Sequence, residues 1–160
     1  MGAWRRLRGR RADMATVDVE VHTTIARPRP EVAAYCVDPD KVTAWNSNIT
    51  AVQWEKGEPV TLGSRFRFTS GFLGRTLQYT YDVVELIEAQ RFVMRSDQGP
   101  FPMETTYTWA DAPNGATWMT LRSRGEPTAF IGLATPVLAT AIRRSRANDL
   151  ARLKSILEGS

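Results

Sequence analysis

The stretch Val17-Asp18-Val19-Glu20-Val21-His22-Thr23-Thr24-Ile25 runs directly into Ala26-Arg27-Pro28-Arg29-Pro30-Glu31-Val32-Ala33-Ala34-Tyr35. The junction between the two decides the fold. In the first part Val17, Val19, Val21, Thr23 and Ile25 alternate with Asp18, Glu20, His22 and Thr24, so a strand with one wet face is expected. His22 falls on that wet face beside two acids and reads as a solvated side chain. Pro28 and Pro30 end the strand, and Pro30 to Tyr35 reads as a short helix with proline in its first turn. Asp38-Pro39-Asp40 opens a second short helix that ends near Trp45-Asn46.

Strand patterns then recur. Ile49 to Glu55 is one and Ser64 to Thr69 another, with Phe66 and Phe68 facing one way and Arg65 and Arg67 the other. Gly71-Phe72-Leu73-Gly74 reads as a hairpin turn, its glycines placed where positive φ is needed. Thr76 to Glu88 keeps Leu77, Tyr79, Tyr81 and Val83 in phase and then shifts to Val84 and Leu86, which predicts a β-bulge or bend. Arg91 to Ser96, Met103 to Trp109 and Thr117 to Arg122 complete an antiparallel meander, with a turn at Asp111-Ala112-Pro113-Asn114-Gly115. From about Thr128 the period becomes 3.6: Ile131, Ala134, Leu138, Ile142, Leu150, Leu153 and Leu157 fall along one stripe. Arg143, Arg144, Arg146, Arg152 and Lys154 are read as lying on other faces. Pro136 either begins this helix after Thr135 or kinks it, and Gly159 stops it.

Composition narrows the class. The chain has 160 residues, 42% hydrophobic and 24% charged, which suits one globular domain. No apolar run approaches the roughly 18 residues of a membrane span. One cysteine, Cys36, excludes an intrachain disulfide, and one histidine, His22, excludes a multi-histidine metal centre, so no metal or other cofactor is expected. The net charge of +4 sits in the leader, where Arg5, Arg6, Arg8, Arg10 and Arg11 face only Asp13. The remainder balances 16 basic residues against 16 acidic ones. A neutral body has no electrostatic footprint for nucleic acid. The leader, residues 1–15, lacks the apolar core of a secretory signal. It is read as a disordered basic tail, or as an extension ahead of a start at Met14, and a cytoplasmic location is expected. Arginine outnumbers lysine 18 to 3, which suits a GC-rich bacterial genome.

The expected architecture is α+β: a curved seven-stranded antiparallel sheet wrapped around a long C-terminal helix, with two short helices after the first strand. The helix is the one element large enough to cover the apolar face of the sheet. A hollow between the two is the default place for a small apolar ligand. Alternation points Phe66, Phe68, Ser70, Tyr79, Tyr81, Met94, Met103, Thr105, Tyr107 and Met119 into it, and helical spacing adds Leu138. Asp82 and Arg95 fall on the opposite face unless a bulge re-aims them. Cys36 reads as a buried inert thiol, and Trp45 and Trp54 as packing. Gly71 and Gly74 lie in a hairpin and do not form a phosphate loop.

Several pieces, in this order and spacing, resemble one known family. They are Ile25 to Val32 leading into the first helix, Asp38-Pro39-Asp40 through Trp45, Leu62-Gly63-Ser64, and Val84-Glu85-Leu86 with Arg91-Phe92. They continue with Gly115-Ala116-Thr117, and with Pro136 and Asn148 to Glu158. Over Thr16 to Glu158 the chain is similar to the START-like, helix-grip superfamily, the SRPBCC group, and within it to the polyketide cyclase/dehydrase-like branch. The resemblance implies a single ligand-binding domain over residues 16–158. It also implies a cavity for hydrophobic molecules such as lipids, sterols, polyketides or plant hormones, and in some members aromatase/cyclase activity.

Three functions stay open. A carrier or binding protein would take a small hydrophobic ligand in a charge-free, aromatic cavity. A polyketide cyclase or dehydratase would need polar groups turned inward, and no catalytic residue is assigned. An interaction module would have a cavity of under about 100 Å³, too small for a drug-sized ligand. Oligomeric state and ligand identity are left open. Within the helix, the large aliphatics Leu150, Leu153 and Leu157 are expected to anchor the fold. The smaller residues Ala129, Gly132, Ala134, Ala139 and Ala141 are expected to roof the cavity together with Leu138. The leader has no apolar periodicity to bury, so removing Met1 to Asp13 should leave the thermal midpoint nearly unchanged; a fall of many degrees would mean that it docks on the body.

Overall fold

A computed structural model of the chain describes residues 16–96, 102–126 and 135–159. The leader, and Ala129, Gly132 and Ala134 of the expected roof, lie outside the described residues. β1 (Val17–Ile25) is followed by α1 (Arg29–Val37), a 3₁₀ turn (Pro39–Lys41) and α2 (Val42–Trp45). The strands β2 (Ile49–Lys56), β3 (Arg65–Phe72), β4 (Arg75–Ile87), β5 (Arg91–Ser96), β6 (Met103–Ala112) and β7 (Ala116–Gly125) form the meander, and α3 (Thr135–Leu157) closes the chain. All seven strands join one antiparallel sheet in the order β1-β7-β6-β5-β4-β3-β2. This is the expected α+β helix-grip arrangement.

Local chemistry explains the element boundaries. Pro28 holds φ −61° in extended backbone, and Pro30 sits in the first turn of α1 where its missing N–H costs nothing. Asp38 caps the 3₁₀ turn by accepting from the Asp40 N–H at 3.0 Å. The β3–β4 hairpin turns through Leu73 and Gly74, both at positive φ (50° and 77°). Gly71 stays within the strand, so the second left-handed position falls to a leucine. The expected bulge is in β4: Val83 pairs with Met94 and Glu85 with Val93, leaving Val84 unpaired and 38% exposed. The inward phase therefore passes from Val83 to Leu86.

The wet face of the sheet is knitted by ion pairs. Arg65 reaches Asp82 at 2.8 Å, Arg67 reaches Glu55 at 2.8 Å and Arg122 reaches Asp18 at 2.6 Å. Glu104 lies between Arg95 and Arg124. Asp82 and Arg95 therefore face outward despite the nearby bulge. His22 also faces out and stacks on Trp118 with ring centres 4.5 Å apart.

The other face is the core, and α3 lies across it. Leu138, Ile142, Leu150 and Leu153 of the helix are buried against Val17, Val19, Val21, Ile25, Met119 and Leu121 of the neighbouring strands β1 and β7, with Phe66 and Phe92 in the same cluster. Pro136 occupies the first described turn of the helix and does not interrupt its middle. Gly159, at φ +79°, ends it, its N–H meeting the Ile156 carbonyl at 3.3 Å. Side chains of α3 also reach the free edge of β1. Arg143 donates to the Glu20 carbonyl at 3.3 Å and Lys154 to the Thr24 carbonyl at 2.5 Å, while Glu158 accepts the Ala26 N–H at 3.0 Å. The Ala26 N–H and the Lys154 ammonium hold the Glu158 carboxyl below its ordinary pKa.

One expectation about the helix is corrected. Leu138 is 1% exposed and Leu153 0%, so both are core residues and the two ends anchor alike. Leu138→Ala and Leu153→Ala should each cost about 2–5 kcal/mol. Urea unfolding of the two variants checks this, and a much smaller loss for Leu138→Ala would restore a loose N-terminal half.

Candidate functional site

Between the inner face of the sheet and the middle of α3 is a cavity of about 80 Å³, partly open to the surface. The sheet contributes Phe68 and Ser70 from β3, Tyr79 and Tyr81 from β4, Met94 from β5, and Met103, Thr105 and Tyr107 from β6. Cross-strand register brings them together: Phe68 lies opposite Tyr79 and Met94 opposite Thr105. Val42, Asn46, Asn48 and Ile49 supply the wall between α2 and β2, and Ile142, Ser145 and Arg146 supply the roof. The roof is thus the middle of the helix.

Three residues expected on the wall are elsewhere. Phe66 is 1% exposed and lies edge-on against Trp54, ring centres 4.7 Å apart, one pleat from the cavity. Met119 is fully buried on β7, and its sulfur accepts from the Cys36 thiol at 3.8 Å. Leu138 lies more than two turns before the Arg146 end of the roof, in the apolar core. Alternation identifies the face of a strand but not the position along it, so it does not separate cavity wall from filled core. Burial pushes the Cys36 thiol far above its ordinary pKa, which suits an unreactive core residue.

The roof contains what the sequence reading missed. Arg146 is expected off the apolar stripe with the other basic residues, yet its side chain is only 18% exposed and lines the cavity. Asp149, one turn on, is 1% exposed. The spacing carried this signal: Ile142, Arg146 and Leu150 are four apart, so Arg146 occupies a place on the apolar stripe. Asp149 Oδ1 accepts from the Ser47 N–H at 3.3 Å and from its hydroxyl at 3.5 Å. Its Oδ2 lies 3.6 Å from Arg146 Nε, an ion pair too long for a hydrogen bond, and both atoms are buried with no hydrogen-bond partner. Beside them Asn48 Nδ2 donates to Ser145 Oγ, and Asn46 Oδ1 accepts the Asn48 N–H at 3.3 Å.

Burial raises the pKa of all three cavity phenols, Tyr79, Tyr81 and Tyr107, and in each the Arg146 charge opposes the rise. They therefore remain protonated at neutral pH and act as hydrogen-bond donors and acceptors, not as bases. The guanidinium itself cannot give up a proton. The arrangement can orient an oxygen-bearing guest, with Phe68, Met94 and Met103 offering apolar contact.

Residues 16–158 match the family model described as polyketide cyclase / dehydrase and lipid transport. The chain belongs to this family. Its fold recurs in solved structures of low sequence identity. A START superfamily protein from Mycobacterium smegmatis superimposes with TM-score 0.78 at 14% identity, covering 89% of this chain and 97% of its own. The ZhuI aromatase/cyclase from Streptomyces sp. R1128 gives 0.74 at 18% identity, covering 89% and 94%. Ginseng major latex-like protein 151 from Panax ginseng gives 0.71 at 14%, covering 89% and 98%. No curated protein matches the chain in sequence. Among the described residues no helix is long and apolar enough to cross a membrane.

The buried carboxylate makes a pH prediction. Desolvation raises the Asp149 pKa, against the opposing effects of Arg146 and Ser47. A carboxyl whose folded pKa is raised binds more protons folded than unfolded, so its ionisation removes stability as pH rises from the ordinary value of about 3.9 toward the folded value. In urea unfolding across that window, the stability of wild type relative to Asp149→Asn should fall with rising pH and then level off. A constant difference would mean that Asp149 is not a desolvated titrating group.

Proposed function

We propose that the protein binds a small, largely apolar ligand in the cavity beneath α3. One observation carries the reading: the hollow is lined by hydroxyls and a cation set among apolar side chains, a mixture that orients a guest. A region that served only as core would be filled with aliphatic groups and would not strand a buried guanidinium Nε without an acceptor. The outward aim of Asp82 and Arg95 supports binding over catalysis, because the bulge delivers neither to the cavity. Among the described lining residues a cyclase or dehydratase would find phenols held protonated and no carboxylate or imidazole to move a proton.

Size sets the terms. About 80 Å³ falls under the bound of about 100 Å³ that would mark a mere interaction module, and under the usual ~300–1,000 Å³ of ligand pockets. The polar lining weighs against the interaction-module reading. A ligand of more than a few heavy atoms must extend through the mouth or displace Met94 and Met103, whose unbranched thioether chains reorient readily.

The test is binding of a neutral apolar fluorophore, N-phenyl-1-naphthylamine, to the full chain. Wild type should bind one equivalent. Tyr107→Ala should weaken binding, and Ser70→Phe, which fills the hollow, should abolish it with the circular dichroism spectrum preserved. Equal binding by wild type and Ser70→Phe would leave the protein without a ligand cavity.

A further inference from the structure

Arg146 carries a permanent charge and five N–H donors, and its buried Nε has no hydrogen-bond partner among the described residues. Its one ionic partner among the described residues, Asp149, is 3.6 Å away and is turned by its other oxygen toward the Ser47 N–H and hydroxyl. The Asp149 charge also feels Arg152, so Arg146 is not its only counter-charge. Among the described lining residues Arg146 is the one charged side chain, and no carboxylate lines the cavity beside it. Tyr79, Tyr81 and Tyr107 line the same hollow, so their hydroxyls are available to the oxygens of a guest held at Arg146.

A neutral hydrocarbon in this space leaves the buried Nε unpaired, so it binds less tightly than a guest that meets that donor. A planar pair of oxygens suits the fork of a guanidinium, which holds carboxylates through two parallel hydrogen bonds. We infer that the occupant of the cavity is a hydrophobic acid whose carboxylate docks on the Arg146 guanidinium, with its hydrocarbon part against Phe68, Met94 and Met103. The inference rests on the reading of the cavity as a ligand site and names the chemical class of the ligand. In this arrangement Asp149 and Ser47 are positioning groups: they hold the arginine from behind and do not touch the guest.

The experiment compares benzoate and hexanoate with their neutral isosteres benzamide and hexanamide, by calorimetry and ligand-observed NMR on the full chain at neutral pH. Each acid should bind at least about tenfold tighter than its amide, as one charge-assisted pairing implies. Arg146→Gln should remove the preference, and Arg146→Lys, which keeps the charge and loses the fork, should retain part of it. Because Arg146→Gln alone strands the Asp149 charge, the pair Arg146→Gln/Asp149→Asn is measured as well and should also show no preference. If amides bind wild type as tightly as acids, the acid-ligand inference is overturned and the cavity reading survives. If neither acids nor amides bind, both fall. An acid preference that persists in the double variant would place the anion away from Arg146 and overturn the inference.

Discussion

A seven-stranded sheet with one apolar face has to be covered, and in this protein a single helix does it. The burial of Leu138, Ile142, Leu150 and Leu153 against the sheet is the contact on which everything else depends. It is nonlocal: the helix lies at the C-terminal end of the chain, yet it closes on β1, at the N-terminal end of the described residues. The sheet order makes this possible by placing β1 beside β7, so that the first and last strands share the ground beneath the helix. The two short helices shield the remaining flank, with Trp45 fully buried and edge-on to Tyr107 at 5.7 Å.

The same helix that seals the core at Leu138 and again at Leu150 and Leu153 opens it in between. At Ser145 and Arg146 the apolar stripe turns polar, and there helix and sheet stand apart. Placing an arginine and an aspartate on the buried side of the main core helix opposes stability, because a buried ion pair rarely recovers its desolvation cost. Such a departure from good packing belongs where function needs it. The family to which the chain belongs is described by cyclase, dehydrase and lipid-transport functions, and the hollow beneath α3 is where a small molecule would fit in this fold. In this chain the roof of the hollow carries a mostly buried cation.

Much of the fold was legible because its signals are periodic. Two-residue alternation in β1, the slip of phase at Val84 and the change to helical spacing are each backbone geometry written in side-chain order. Eight of the expected wall residues, Phe68, Ser70, Tyr79, Tyr81, Met94, Met103, Thr105 and Tyr107, do line the cavity, since they share one sheet face over neighbouring registers. Phe66, Met119 and Leu138 were misplaced because their periodicity matches that of the wall residues while their height along the element differs. Arg146 was missed for another reason. A charged side chain suggests exposure, although the spacing of Arg146 from Ile142 and Leu150 places it on the buried stripe. Gly71 and Leu73 show the same limit at small scale: a glycine suggests positive φ, but the hairpin register decides which residue takes it.

The bonds from α3 to β1 have a meaning for the protein in a crowded cell. An open sheet ends in two strands with unpaired backbone groups, and such edges recruit other strands. Glu20 and Thr24 of β1 and Ala26 just after it are even-numbered, so their outward backbone groups lie on the free side, and on each a side chain of the helix region occupies one group: Arg143, Lys154 and Glu158. At the opposite border β2 carries two register irregularities, between Ile49 and Ala51 and between Trp54 and Lys56, which spoil its regularity as a template. One border is partly occupied and the other is irregular. The sheet thus keeps an open architecture, with room for a hollow, while both rims carry features that make them poorer templates for a further strand.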